Sequence, residues 1–145
     1  MFVENLKETL NLGKKLSQKL NPHSIVLLKG PIGAGKTSFV QGIAEGLSIP
    51  EDITSPTFAL SHHYNSGKIP LIHLDLYRLE SISSAKEVFF CEEEEALQRK
   101  AILVVEWPEL IEPLIKDYWK IEISYAKNYG RNYLIKEPNN LFTFS

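Results

Sequence analysis

Eight consecutive residues, Gly30-Pro31-Ile32-Gly33-Ala34-Gly35-Lys36-Thr37, constrain this chain more than any other stretch. They fit G-x-x-x-x-G-K-[ST], a loop whose backbone N–H groups wrap the phosphates of a nucleotide. The apolar run Ile25-Val26-Leu27-Leu28 precedes it, and Phe39, Ile43 and Leu47 follow at four-residue spacing. Strand, glycine loop, helix is the context that the pattern requires. An ordinary glycine turn would leave the Lys-Thr pair unexplained. Gly30, Gly33 and Gly35 put no side chain between amides and phosphate oxygens. The helix starting near Lys36 aims free N–H groups and its positive dipole end at the same anion. Residues Gly30 to Thr37, with Ser38, therefore form the expected phosphate-binding set. Lys36 is placed to reach the β- and γ-phosphates, and Thr37 to offer its hydroxyl to Mg²⁺.

At 145 residues, with 43% hydrophobic and 23% charged residues, the chain reads as one globular domain over residues 1–137. Residues 138–145 read as a tail anchored by Phe142 and Phe144. No apolar run approaches the roughly 20 residues that a membrane span needs. The opening residues lack the layout of a signal peptide. Cys91 is the only cysteine, which fits a reducing cytoplasm. A net charge of −2 and three arginines (Arg78, Arg99, Arg131) argue against strong unaided binding to nucleic acid. Lys14, Lys15 and Lys19 read as a solvated helix face.

Leu6, Leu10, Leu16 and Leu20 predict a first helix, capped by Asn5 with Glu8 and stopped at Asn21-Pro22. Residues 54–58, Thr-Ser-Pro-Thr-Phe, read either as a turn entering a strand or as a switch whose hydroxyls sense the γ-phosphate or Mg²⁺. A strand over 58–64 and an alternating strand over 71–76 predict an antiparallel hairpin in an otherwise parallel sheet. Ile72, Leu74 and Leu76 then share one face, His73 and Asp75 the other. Arg78 follows closely, as an ion-pair partner for Asp75. In a P-loop protein the C-terminal end of a strand is where working residues gather, so Asp75 is a candidate to orient water or hold Mg²⁺.

Residues 81–100 predict a polar helix, with Glu92 to Glu95 as a solvated face or an acidic docking surface. Cys91 has no evident base and reads as packed or inert. Five apolar residues, Ala101 to Val105, predict a central parallel strand that delivers Glu106 to the rim of the phosphate loop. Glu106 there follows Walker-B logic, as a Mg²⁺ ligand through water. Trp107 stacks on the nucleotide or packs. A short helix over 108–116 and strands over 118–125 and 131–136 complete the domain. Gly130-Arg131 reads either as a hairpin turn or as an approach to base or ribose. His62, His63 and His73 are spaced too irregularly for a metal site.

With these blocks in place, the chain resembles the TsaE (YjeE) family, the P-loop ATPase component of bacterial tRNA threonylcarbamoyladenosine synthesis. The resemblance rests on the phosphate loop through Phe39, on Ser55-Pro56-Thr57-Phe58, on His73-Leu74-Asp75-Leu76-Tyr77-Arg78-Leu79 and on Glu106-Trp107-Pro108, in that order. It implies an α/β, P-loop NTPase-like three-layer sandwich: a mixed, mostly parallel sheet with an antiparallel hairpin and helices on both faces. It also implies slow ATP hydrolysis that depends on partner subunits TsaD and TsaB, with tRNA met only through the complex. On this likeness Thr37 and Glu106 are magnesium positions, Lys36, Asp75 and Glu106 catalytic, and Ser55 to Thr57 a switch. Trp107 and the turn at Gly130-Arg131 belong near the nucleotide, and Asn5 and Leu6 near adenine. The chain departs from the family pattern at Pro31, where Asp is usual, at Ser48, where Gly is usual, and over residues 85–90.

Two other classes compete with this reading. A small-molecule kinase would need more arginines and a lid. A non-catalytic nucleotide switch would show no hydrolysis even with partners. The absence of Asn-Lys-x-Asp, and of Gly three residues after Asp75, favours ATP over GTP.

Overall fold

The computed structural model describes residues 1–138. Among these, seven strands form one sheet in the order β1-β7-β6-β2-β5-β4-β3. The strands are β1 (Phe2–Val3), β2 (Ile25–Lys29), β3 (Ser61–Tyr64), β4 (Leu71–Asp75), β5 (Ile102–Glu106), β6 (Trp119–Tyr125) and β7 (Arg131–Lys136). The helices are α1 (Leu6–Ser17), α2 (Lys36–Gly46) and α3 (Ile82–Arg99). Strands β6, β2, β5 and β4 run parallel as neighbours, and the hairpin β3–β4 is antiparallel as expected.

The expectation of an otherwise parallel sheet is corrected at the far edge. There β7 returns beside β6, and β1 beside β7, both antiparallel. The connection between β6 and β7 is too short for the crossover that parallel pairing needs. Three other expectations shift. Residues 57–60 form a turn, so β3 begins at Ser61 and not at Phe58. The helix expected over 108–116 shrinks to one 3₁₀ turn, Glu112–Leu114. The first helix ends at Ser17, short of Asn21. The tail expected over 138–145 lies outside the described residues from 139 onward.

Alternation along the strands divides the core into two layers. Val26, Leu28, Leu71, Ile102, Val104 and Ile121 face α1 and α2, while Leu27, Ile72, Leu74, Leu103 and Val105 face α3. Helices on both faces of a mixed sheet are the three-layer arrangement that the sequence implied. Asn5 caps α1 by accepting from the N–H of Glu8 at 3.0 Å. The two helices on the loop face cross at glycines. A Cβ on Gly13 would stand 2.5 Å from the carbonyl oxygen of Phe39, and one on Gly42 would meet the backbone of Leu10. That contact packs α2 tightly onto α1 and so fixes the start of α2, where the phosphate loop ends.

Just past α2, Ser48 takes left-handed backbone angles (φ 61°) and closes the helix through its N–H to Glu45. This position suits glycine, because a Cβ is strained there. Ser48→Gly is expected to raise unfolding free energy by about 0.5–1 kcal/mol, read from denaturant midpoints at unchanged slope.

Candidate nucleotide site

Parallel β2, β5 and β4 end on the same edge of the sheet, where ligands of open α/β sheets bind. The phosphate loop leaves β2 there. Asp75 closes β4, Glu106 closes β5, and the two acids are register partners. Odd-numbered β4 residues and even-numbered β5 residues face α2, so His73, Asp75 and Glu106 share that side with Thr37. All three are buried.

In the loop, Gly33 (φ 80°) and Gly35 (φ 103°) hold left-handed angles that a side chain would strain. Every carbonyl from Gly30 to Gly35 accepts a hydrogen bond. Lys36 Nζ donates to Gly30 at 2.6 Å and Pro31 at 2.9 Å. Tyr125 donates to Ile32, and Arg131 donates to Gly33 and Ala34, each at 3.2 Å. The N–H of Phe39 serves Gly35. The N–H groups of Gly33, Gly35, Lys36 and Thr37, by contrast, have no acceptor among the described residues. A loop with its acceptors used and its donors free is built for an anion.

Facing it is a cavity of about 420 Å³ lined by Gly33, Gly35, Lys36, Thr37, Ser38, Ile32, Ser55, Thr57, Asp75, Tyr77, Glu106 and Trp107. Thr37 Oγ1 is 3.5 Å from Glu106 Oε2. His73 Nε2 lies 2.5 Å from the same carboxylate oxygen, while its Nδ1 has no partner among the described residues. Asp75 has both oxygens engaged, one by the N–H of Tyr77 at 2.8 Å and one by the hydroxyl of Thr57 at 2.9 Å. Ser55 and Thr57 hydroxyls are in turn 2.7 Å apart. Of residues 54–58, Thr57 and Phe58 enter the turn at 57–60, and Ser55 and Thr57 line the cavity.

Trp107 adopts left-handed angles (φ 56°), rare for so bulky a residue, and its ring lies 4.3 Å from Lys36 Nζ and 4.8 Å from the Tyr77 ring. Burial pushes the Lys36 ammonium below its usual value, against the pull of Glu106, Asp75 and Glu109. A second cavity of about 230 Å³ shares Gly33, Gly35 and Ser38 with the first and extends to Asn5, Leu6, Thr9, Tyr129 and Arg131. Gly130 lines neither of these two. A Cβ there would strike the Phe2 ring.

Most of this chain aligns with known proteins. The family model "Threonylcarbamoyl adenosine biosynthesis protein TsaE" matches residues 3–133. The chain belongs to the TsaE family. A TsaE protein of Nostoc is 41% identical over 90% of this chain and 81% of its own length. One from Rickettsia prowazekii is 38% identical over 98% and 97%. The crystal structure of Bacillus subtilis YdiB superposes with a TM-score of 0.74 at 30% identity, covering 92% of this chain and 80% of that one.

Other residues fall elsewhere than expected. Arg78 does not pair with Asp75; its guanidinium lies 4.9 Å over the Phe58 ring, because the turn at 57–60 carries that exposed ring across it. Cys91 is exposed, not packed. Glu92 turns inward to His63 (2.7 Å) and Ser61 (3.2 Å), so the acidic run is not a uniform solvated face. His62 meets Thr54, and His73 meets Glu106. Spacing did not find Tyr125, Tyr77 or the His73–Glu106 contact, since each bridges segments from different strands.

At the root of the loop, Lys29 donates to Glu112 Oε1 at 3.2 Å, while Lys120 (2.9 Å) and Tyr118 (3.1 Å) reach Oε2. This ties the segment after Trp107 to β2 and β6. Burial opposes the charge on Glu112, but hydrogen bonds and attraction from Lys120 and Lys29 outweigh it and hold the carboxyl below its ordinary value of 4.5. The depressed folded value makes its contribution full above the unfolded value and lost as pH falls through the folded one. Glu112→Gln is expected to cost about 1 kcal/mol at neutral pH. In denaturant titrations across pH 3–7 the gap to wild type should close only below the ordinary carboxylate range.

Proposed function

We propose that this chain is the ATP-binding, weakly hydrolysing subunit of a cytoplasmic apparatus for threonylcarbamoyladenosine modification of tRNA, working with Mg²⁺ and with TsaD and TsaB. The observation that carries the reading is the convergence of the free loop amides, Lys36, Thr37, Asp75 and Glu106 on one cavity that continues into a second. A triphosphate fits the first, and the second, walled by Leu6, Asn5 and Tyr129, suits a ribose and base.

The donor set fits Mg²⁺. Among the described residues no group of three or more His, Cys, Asp or Glu forms a metal cage. Magnesium is instead usually held by one or two protein oxygens together with phosphates and waters. Thr37 and Glu106 supply such oxygens. Bound there with ATP, the ion would neutralise charge that develops on the transferring group.

The protein's own groups do the rest. Loop amides and the start of α2 bind the β-phosphate, and Lys36 leaves the Gly30 and Pro31 carbonyls to meet the γ-phosphate. Asp75 is the candidate to orient the attacking water. Each of its oxygens accepts one hydrogen bond from the protein and keeps a lone pair for that water. Among the described residues no arginine lines the larger cavity. A cation supplied by a partner is worth on the order of 10³-fold or more in such reactions, which supports dependence on partners.

The test is reconstitution of threonylcarbamoyladenosine formation with TsaD, TsaB, tRNA and ATP, with phosphate release followed in parallel. Lys36→Ala and Glu106→Gln are expected to abolish multiple turnover and to lower phosphate release by roughly 100-fold or more. Unchanged turnover in both variants overturns the assignment. A fast rate for the isolated chain overturns partner dependence.

A further inference from the structure

The peptide unit is planar and trans, so a carbonyl and the N–H that follows it point opposite ways. Fixing a carbonyl therefore aims the next amide. Three consecutive loop carbonyls, those of Ile32, Gly33 and Ala34, are all fixed from one place, the β6–β7 hairpin. Tyr125 at the end of β6 serves the first, and Arg131 at the start of β7 serves the other two through Nη2 and Nε. The hairpin residues are more than ninety positions away in the chain. Arg131 is itself braced: its Nη1 donates to the carbonyls of Tyr129 (2.8 Å) and Gly130 (3.0 Å), and its guanidinium lies 4.7 Å over the Tyr125 ring. A planar fork used on several edges loses little freedom for each bond it makes.

Neither Tyr125 nor Arg131 lines the larger cavity, whereas Gly33 and Gly35 do. With its preceding carbonyl drawn to the hairpin, the N–H of Gly33 points away from it, and so does that of Gly35. The middle plane obeys the same rule, since the Ala34 N–H turns to the Pro31 carbonyl at 3.1 Å. We propose that Tyr125 and Arg131 are positioning residues that hold the phosphate loop in its anion-binding shape before nucleotide arrives. They act through the loop's carbonyl oxygens, not on the reacting atoms. This rests on reading the loop as a nucleotide site, and it extends that reading to a second element of the fold. It also makes the hairpin a lever. Whatever moves β6–β7 moves three peptide planes of the loop.

Tyr125→Phe isolates the effect, because it keeps the ring under Arg131 and removes only the hydroxyl that reaches Ile32. The test pairs calorimetric titration with ADP and ATP against backbone ¹⁵N order parameters of residues 32–35 in the nucleotide-free protein. Lys36→Ala serves as the control for the site itself. Tyr125→Phe is expected to weaken binding roughly 5-fold and Arg131→Ala roughly 20-fold, each with lower order at Gly33 and Gly35 before ligand is added. Arg131→Lys should restore less than half of the lost affinity, since one ammonium nitrogen cannot stand in for a planar fork that serves Gly33 and Ala34 from two edges while Nη1 stays braced on Tyr129 and Gly130.

Unchanged order parameters in both variants overturn the proposal, whatever happens to affinity. Weaker binding with unchanged order would instead make Arg131 a direct ligand of the nucleotide. If wild type and Lys36→Ala bind equally poorly, the nucleotide reading fails, while the order parameters still decide whether the hairpin holds the loop.

Discussion

The registry of three neighbouring parallel strands is the constraint on which the site depends. With β5 between β2 and β4, Leu28 pairs with Glu106 and Glu106 with Asp75, so two acids arrive beside the residue that opens the loop. A slip by one residue on β5 would turn Glu106 toward α3 and bury its charge among Leu27, Leu74 and Phe89. Residues 102–105 are apolar on both faces, so the slip is opposed chiefly by the cost of parting the buried Glu106 from His73 and Thr37.

The same placement brings an electrostatic burden. Lys36, His73, Asp75 and Glu106 are all nearly inaccessible, and burying charge is costly unless it is paired and hydrogen-bonded. The structure meets most of this cost internally. Glu106 is met by His73 and Thr37, Asp75 by Thr57 and the Tyr77 backbone, and Lys36 by two carbonyls and an aromatic face. Groups that a ligand would engage are kept occupied by one another until it comes. The lowered affinity of Lys36 for its proton is the residue of what burial leaves uncompensated.

Much of this was legible in the residues themselves. A glycine loop between an apolar strand and a helix has few folds open to it, and the alternation of 71–76 set His73 and Asp75 on one face, as the structure shows. The buried run before Glu106 gave its strand and its rim position. What escaped was contact across the sheet. Arg78 sits next to Asp75 in sequence, yet the turn at 57–60 hands it Phe58. Tyr125 carries no motif; its hydroxyl matters because β6 lies beside β2. Pattern fixes which way a side chain faces along its own strand. Which neighbour it meets is decided by strand order, and that is a property of the assembled sheet.

Asp75 is also moored at both oxygens, by the Thr57 hydroxyl on one and the Tyr77 backbone on the other, with a lone pair left over on each. Two moorings fix the plane of the carboxylate, and the spare lone pairs then have set bearings. In the proposed cycle a water would be aimed by that plane, so the short loop that carries Thr57 acts as its sight.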